Sequence, residues 1–157
     1  MPRCPECEAE LVYRDSRPRI MRSAGGKTDH VIIRRMKCPE CGRLHNVLPS
    51  NLAKYKHYTT TTIENVLDGI IDEKSPEIQD GPSYLTMRLW LKWFEMNLSR
   101  IEGYLHSIAL RFTEQDTDGS LLLMNWRELG EGWLDAVLRS IYNSGGFLPA
   151  YHSLKSL

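Results

Sequence analysis

The chain is poor in cysteine, with four in 157 residues, and all four fall in two short motifs. No apolar run approaches the ~20 residues that a membrane-spanning helix needs, so no membrane partner is expected. No Ser-His-Asp order and no glycine-rich phosphate loop is present, and carboxylates such as Asp68, Asp72 and Glu73 read as a solvated helix face. No catalytic residue is therefore assigned, and the chain reads as something other than an enzyme. Met1-Pro2-Arg3 runs straight into the first cysteine motif without an apolar leader. That start predicts a cytoplasmic protein in a reducing compartment, where structural disulfides are rare.

What is present is a pair of matching knuckles, Cys4-Pro5-Glu6-Cys7 and Cys38-Pro39-Glu40-Cys41. A C-x-x-C turn offers two sulfurs to one side of a metal, and two such turns complete a tetrahedral shell. The expected cofactor is one structural Zn2+ held by Cys4, Cys7, Cys38 and Cys41. Four thiolates leave no coordination position for a reactive water, so this metal should fold a module and not perform chemistry. The 30 residues between Cys7 and Cys38 are a long insert, but the cost of closing a loop grows only logarithmically with its length. His45, four residues after Cys41, reads as a surface or strand histidine because all four cysteines are available.

The formal net charge is zero, which hides a strong polarity along the chain. Residues 1–58 carry twelve Lys or Arg against six Asp or Glu, and residues 59–157 carry eight against fourteen. A basic front half beside a zinc site points to a polyanionic partner, most commonly nucleic acid. The expected phosphate-contacting cations are Arg14, Arg17, Arg19, Arg22, Arg34, Arg35 and Lys37 on a hairpin, with Lys54 and Lys56 on a basic, tyrosine-bearing linker.

The pattern predicts an α+β protein. Residues 1–50 should form a small zinc ribbon with a three-stranded antiparallel sheet. Its first strand begins at Leu11 and is interrupted or edged at Pro18, a turn follows at Ala24-Gly25-Gly26-Lys27, the second runs from His30 to Met36, and the third from Arg43 to Leu48. The remainder should be helical. Ile63, Val66, Leu67, Ile70 and Ile71 recur at helical spacing after a run of threonine caps, and Pro82-Ser83 restarts a helix at Tyr84. A short helix over 76–80 could lie between them. This order is that of a helix-turn-helix over 59–97, in which the last helix enters the major groove. Ser83, Tyr84, Thr86, Met87 and Arg88 are then the candidate base readers, and Lys92 reaches phosphate. A helical C-terminal region over 98–157 follows, either separate from the helix-turn-helix or one domain with it, with helices at 98–112, 121–129 and 133–142, and is suited to a homodimer or partner contact. Asp116-Thr117-Asp118-Gly119 reads as a helix-joining loop because the later ligands of a calcium loop are missing. The four tryptophans read as core.

The run from Arg34 through Cys38-Pro39-Glu40-Cys41-Gly42 to His45, then Leu48-Pro49 and Tyr55-Lys56-His57-Tyr58, resembles the zinc-ribbon entry of bacterial insertion-sequence transposases. It is similar also to a family of short bacterial proteins that carry this ribbon, followed by a helix-turn-helix, without a nuclease domain; Pro82-Ser83 through Arg88-Leu89-Trp90 and Gly132-Trp133-Leu134 through Asn143-Ser144 look like its later signatures. The resemblance implies a mobile-element or regulatory role on double-stranded DNA. Such transposases set three carboxylates on a mixed α/β domain, whereas residues after Thr59 predict helices only. The chain therefore reads as a non-catalytic accessory factor that works with a separately encoded transposase or recombinase. The other reading is a protein adaptor that grips a larger nucleic-acid machine, or a phage or host protein, through the ribbon and the acidic helices.

Overall fold

The computed structural model describes residues 2–23, 25–49, 51–52, 58–75 and 81–150. The short helix expected over 76–80 and the cations Lys54 and Lys56 lie outside them.

Three strands form one antiparallel sheet in the order β1 (Val12–Arg22), β2 (Thr28–Lys37), β3 (Leu44–Val47). The hairpin is in register from Arg22 opposite Thr28 down to Arg17 opposite Ile33 and Asp15 opposite Arg35, then shifts between Tyr13 and Asp15. Of the two outcomes expected at Pro18, an interruption or an edge position, the edge position holds. Pro18 stands opposite Ile32 in an edge strand, where a missing N–H costs no ladder bond, and the irregularity falls at Arg14 instead. Gly26, at φ 78, takes the left-handed conformation that closes the turn. Met36 packs with Cys4, Leu11 and Cys38 into a small core at the knuckle end of the sheet.

The helical body holds a second, larger core. Helix α1 (Thr60–Leu67) starts at Thr59, whose hydroxyl accepts from the Thr62 N–H at 3.3 Å. It ends sooner than the apolar pattern predicts, because Gly69 at φ 73 turns the chain out of the helix. Ile63, Val66 and Ile71 are buried, but Ile70 is 68% exposed and leaves the stripe. Helix α2 (Tyr84–Thr113) is one 30-residue element and not two. No glycine or proline separates Phe94 from Leu98, and the residue that disturbs the apolar pattern, Asn97, is fully buried. Its Nδ2 donates to the carbonyls of Trp93 (2.9 Å) and Pro149 (3.1 Å), which satisfies the donor side of the amide, while its buried Oδ1 has no partner among the described residues.

Helices α3 (Gly119–Glu128) and α4 (Trp133–Asn143) close the bundle. Asp118 caps α3 through the Ser120 N–H at 2.7 Å, which gives the acidic loop a structural purpose. The backbones of α2 and α3 meet so closely at Gly119 that a Cβ would stand 2.0 Å from the Glu102 carbonyl oxygen. One apolar cluster takes Ile63 and Val66 from α1, Trp90, Trp93 and Ile101 from α2, Leu123 from α3 and Leu134, Val137 and Ile141 from α4. Helix α2 runs through positions 97 and 98, and one apolar cluster joins the described helices on both sides of them, as in the expected alternative of a single helical domain. Helices α1 and α2 bound the span 68–83 expected to hold the turn of a helix-turn-helix, and residues 76–80 of it lie outside the described residues. In sequence that span is longer than the three or four residues of the compact motif.

Candidate metal centre and basic surface

Each knuckle is a tight backbone loop, and the two loops match. The Glu8 N–H donates to the Cys4 carbonyl (2.9 Å) and the Cys4 N–H to the Ala9 carbonyl (2.8 Å). In the second knuckle the Gly42 N–H donates to the Cys38 carbonyl (3.0 Å) and the Cys38 N–H to the Arg43 carbonyl (2.9 Å). Both loops need a left-handed residue four positions after the first cysteine. The second uses Gly42 at φ 72, and the first uses Glu8 at φ 61.

The loops converge their sulfurs. The Sγ atoms of Cys4, Cys7, Cys38 and Cys41 all lie within 4.8 Å of one another. Cys4 stands 3.7 Å from Cys41, and Cys7 stands 3.4 Å from Cys38. Four bonds of ~2.3 Å at tetrahedral angles require sulfur separations of about 3.8 Å, so the cage fits a metal ion with little movement. The four thiols also interact strongly with one another. Cys38 is held down to about 7, first by the Cys41 N–H, which lies 3.5 Å from its sulfur. At Cys4, burial opposes the thiolate, but the N–H groups of Glu6 and Cys7 and the neighbouring thiols outweigh it and hold it below the usual thiol value. At Cys7 the Ala9 N–H favours the thiolate, yet the crowding sulfurs and burial push the group up to about 12. Four such groups cannot all ionise side by side unless a cation is placed among them, and a bound dication deprotonates its thiols outright. His45 is a strand residue, on β3, and its Nε2 lies 3.5 Å from the Cys4 sulfur.

The strand register distributes the basic residues over both sides of the sheet. Residues opposite one another share a face. Arg17 and Arg19 therefore lie with Ile33, Val31 and the Asp15–Arg35 pair, whereas Arg22 and Arg34 lie on the other side with Ser16, Pro18 and Ile32. Arg35 is held by both carboxylate oxygens of Asp15, and this guanidinium keeps Asp15 below the usual carboxylate range. Arg14 reaches Asp15 at 3.9 Å, and Arg19 is half-buried. Arg17, Arg22, Arg34 and Lys37 are exposed and have no ion pair among the described residues.

At the start of α2, Ser83 and Thr86 form a cap, with the Thr86 N–H donating to the Ser83 hydroxyl at 3.2 Å. Tyr84 and Arg88 are exposed, and the guanidinium sits 5.7 Å from the ring centroid. Met87 is 4% exposed and packs in the main core, so it cannot read a base; its place in the i, i+3 apolar stripe with Trp90 turns it inward. Lys92 pairs with Glu95 at 3.2 Å.

Two features escaped the sequence reading. Glu64 is 2% exposed and its carboxylate accepts from the backbone N–H groups of Gly132 (3.1 Å to each oxygen) and Leu134 (2.9 Å), capping α4 from another helix. Asp68 is exposed, and it also accepts from Arg127 and from the Trp133 indole, both at 2.8 Å. The only sequence signal was that Gly132 leaves α4 without a side-chain cap. The second feature is a cleft of about 660 Å3 between β3 and α4, lined by Arg43, Val47, Arg139, Tyr142 and Phe147. It exists because the first knuckle docks against the end of α4, where the Pro5 carbonyl oxygen lies 3.1 Å from the position of a Cβ on Gly145.

Among the described residues, fold and site together define a three-stranded antiparallel sheet with four clustered cysteines, followed by four helices. Residues 4–90, more than half of the chain, match the family described as a domain of unknown function, DUF6431, and the chain belongs to that family. The match begins at the first ligand cysteine and reaches into α2. No curated protein and no solved structure matches the chain. No helix among the described residues is long and apolar enough to cross a membrane.

Proposed function

We propose that the chain is a zinc-dependent DNA-binding protein without catalytic activity, acting in the bacterial cytoplasm as a mobile-element accessory factor or regulator beside a separately encoded transposase or recombinase. The observation that carries this reading is the set Arg17, Arg22, Arg34 and Lys37, exposed and without ion pairs on a hairpin anchored to the cysteine cage. Zinc is the ion that an all-thiolate tetrahedral cage suits best, and its shell leaves no open position. The hairpin supplies phosphate contacts, and the exposed Tyr84 and Arg88 at the start of α2 supply base contacts. The resemblance of residues 34–45 to transposase ribbons supports the same partner.

The test is a titration of zinc-loaded protein against mixed-sequence duplex DNA at several salt concentrations. Each side of the sheet offers two of these cations, Arg17 with Lys37 and Arg22 with Arg34, so one side against the backbone gives a log-log slope of about −1.8. Arg34→Ala flattens it by about 0.9 for every sequence, whereas Arg88→Ala relaxes sequence preference. Absence of binding at low salt refutes the reading.

The cleft favours a second reading, a protein adaptor. Among the described residues β3 pairs only with β2, and its other edge is open to a peptide strand. Selection of extended peptides from a displayed library, lost on Val47→Pro, supports the adaptor; no enrichment argues against it.

A further inference from the structure

We propose that His45 belongs to the metal centre without being a ligand, donating a hydrogen bond from Nε2–H to the Cys4 thiolate and thereby tying β3 to the first knuckle. The inference rests on the reading of the cysteine cage as a metal site.

Four observations lead to it. The donor atoms that cluster within 4.8 Å are the four sulfurs, so the shell is complete without the imidazole. The ring touches that cluster through Cys4, at 3.5 Å, a normal separation for a nitrogen donor and a sulfur acceptor. Cys4 and Cys38 are the two buried sulfurs, whereas Cys7 and Cys41 are exposed and can be solvated by water. Cys38 is met by the Cys41 N–H at 3.5 Å, and Cys4 is met by His45, so each buried sulfur has a donor facing it. Finally, His45 stands opposite Met36 in the ladder, and Met36 packs with Cys4 and Cys38, which holds the ring's strand against the cage.

The chemistry then fixes the tautomer. A metal-bound thiolate has no proton to give and acts only as an acceptor. A ring nitrogen presenting its lone pair at this distance would be repelled, so Nε2 must carry the proton. Four thiolates on a dication also leave the cage with two negative charges, which a donor at the buried sulfur offsets. His45 is thus a positioning residue for the metal.

The experiment uses the full chain loaded with Co2+ for spectra and with Zn2+ for nitrogen NMR. Wild type is expected to show an all-sulfur tetrahedral Co2+ spectrum, and its zinc form the Nε2–H tautomer at His45. His45→Ala should weaken metal affinity, measured by competition with a chelator, by roughly 10- to 100-fold. It should also shift the sulfur-to-cobalt charge-transfer band, and His45→Gln, which keeps an N–H donor, should recover part of both effects. A nitrogen-ligand signature in the wild-type spectrum, an Nδ1–H tautomer, or an alanine variant equal to wild type in affinity and band position overturns the proposal. The tautomer is read on wild type, so it decides even if the alanine variant does not fold. A wild type that binds neither ion overturns the metal reading itself and this inference with it.

Discussion

Replacing the buried Glu64 with alanine should cost the helical body about 3 kcal/mol, more than the loss of an exposed carboxylate would. The carboxylate stands at the N-terminus of α4, where Gly132 provides no side-chain cap. The Leu134 N–H that it accepts at 2.9 Å belongs to a residue that is 0% exposed, so no water can replace the lost acceptor. An orphaned buried donor costs roughly 1–3 kcal/mol. Gly132 is exposed and water can substitute there, leaving a loss of about 0.5 kcal/mol. Removing a negative charge from a helix N-terminus forfeits about 0.3–1 kcal/mol more. Against a total stability on the order of 10 kcal/mol the sum is large. The assay is urea unfolding followed by tryptophan fluorescence, since Trp133 opens α4 beside the lost contact. Glu64→Gln, which keeps one acceptor oxygen but not the charge, should lose about half as much. A loss below about 0.5 kcal/mol for Glu64→Ala, on the scale of an ordinary surface substitution, would refute the capping argument.

Two glycines should respond in opposite directions to alanine: Gly119→Ala forces α3 away from the Glu102 carbonyl and lowers the melting temperature, whereas Gly103→Ala meets nothing within 4 Å in the middle of α2. The second change should raise stability by about 0.5–1 kcal/mol, and a thermal melt of both variants checks the pair. Chelation of the metal should abolish the ribbon's dispersed NMR signals while leaving most of the helical circular dichroism, because the cage core and the helical core are separate clusters. Asp118 is held below the usual carboxylate range, first by the Ser120 hydroxyl and then by backbone N–H groups. A depressed folded value means its contribution is present at neutral pH and down to about 4, then is lost as pH falls through the folded value. Asp118→Ala should therefore lower stability at pH 7 and flatten its decline below pH 4, read from thermal melts across that range.

The sequence by itself determined the features whose cause is local. The two Cys-Pro-Glu-Cys motifs each close their own hydrogen-bonded loop. Thr59, Ser83 and Asp118 cap helices within three residues of themselves, and the apolar spacing from Ile63 and from Trp90 marks faces that must be buried. Gly69 shows how one local signal can override another, since its positive φ stops a helix that the apolar pattern would have continued to Ile71. Tertiary structure decided what depends on distant partners. Strand register, which a bulge at Arg14 shifts, placed Arg17 and Arg34 on opposite sides of the sheet and gave Arg35 to Asp15. Packing turned Met87 inward and joined two expected helices through a buried Asn97, whose amide nitrogen donates to the Pro149 carbonyl, 52 positions away. Glu64, Asp68 and His45 show no partner in sequence because their partners, the N-terminus of α4, Arg127 with Trp133, and the sulfur of Cys4, lie 41 to 70 positions away. Hydrogen-bond partners at such separations are chosen by how the chain folds back on itself, and no pattern of neighbouring residues encodes them.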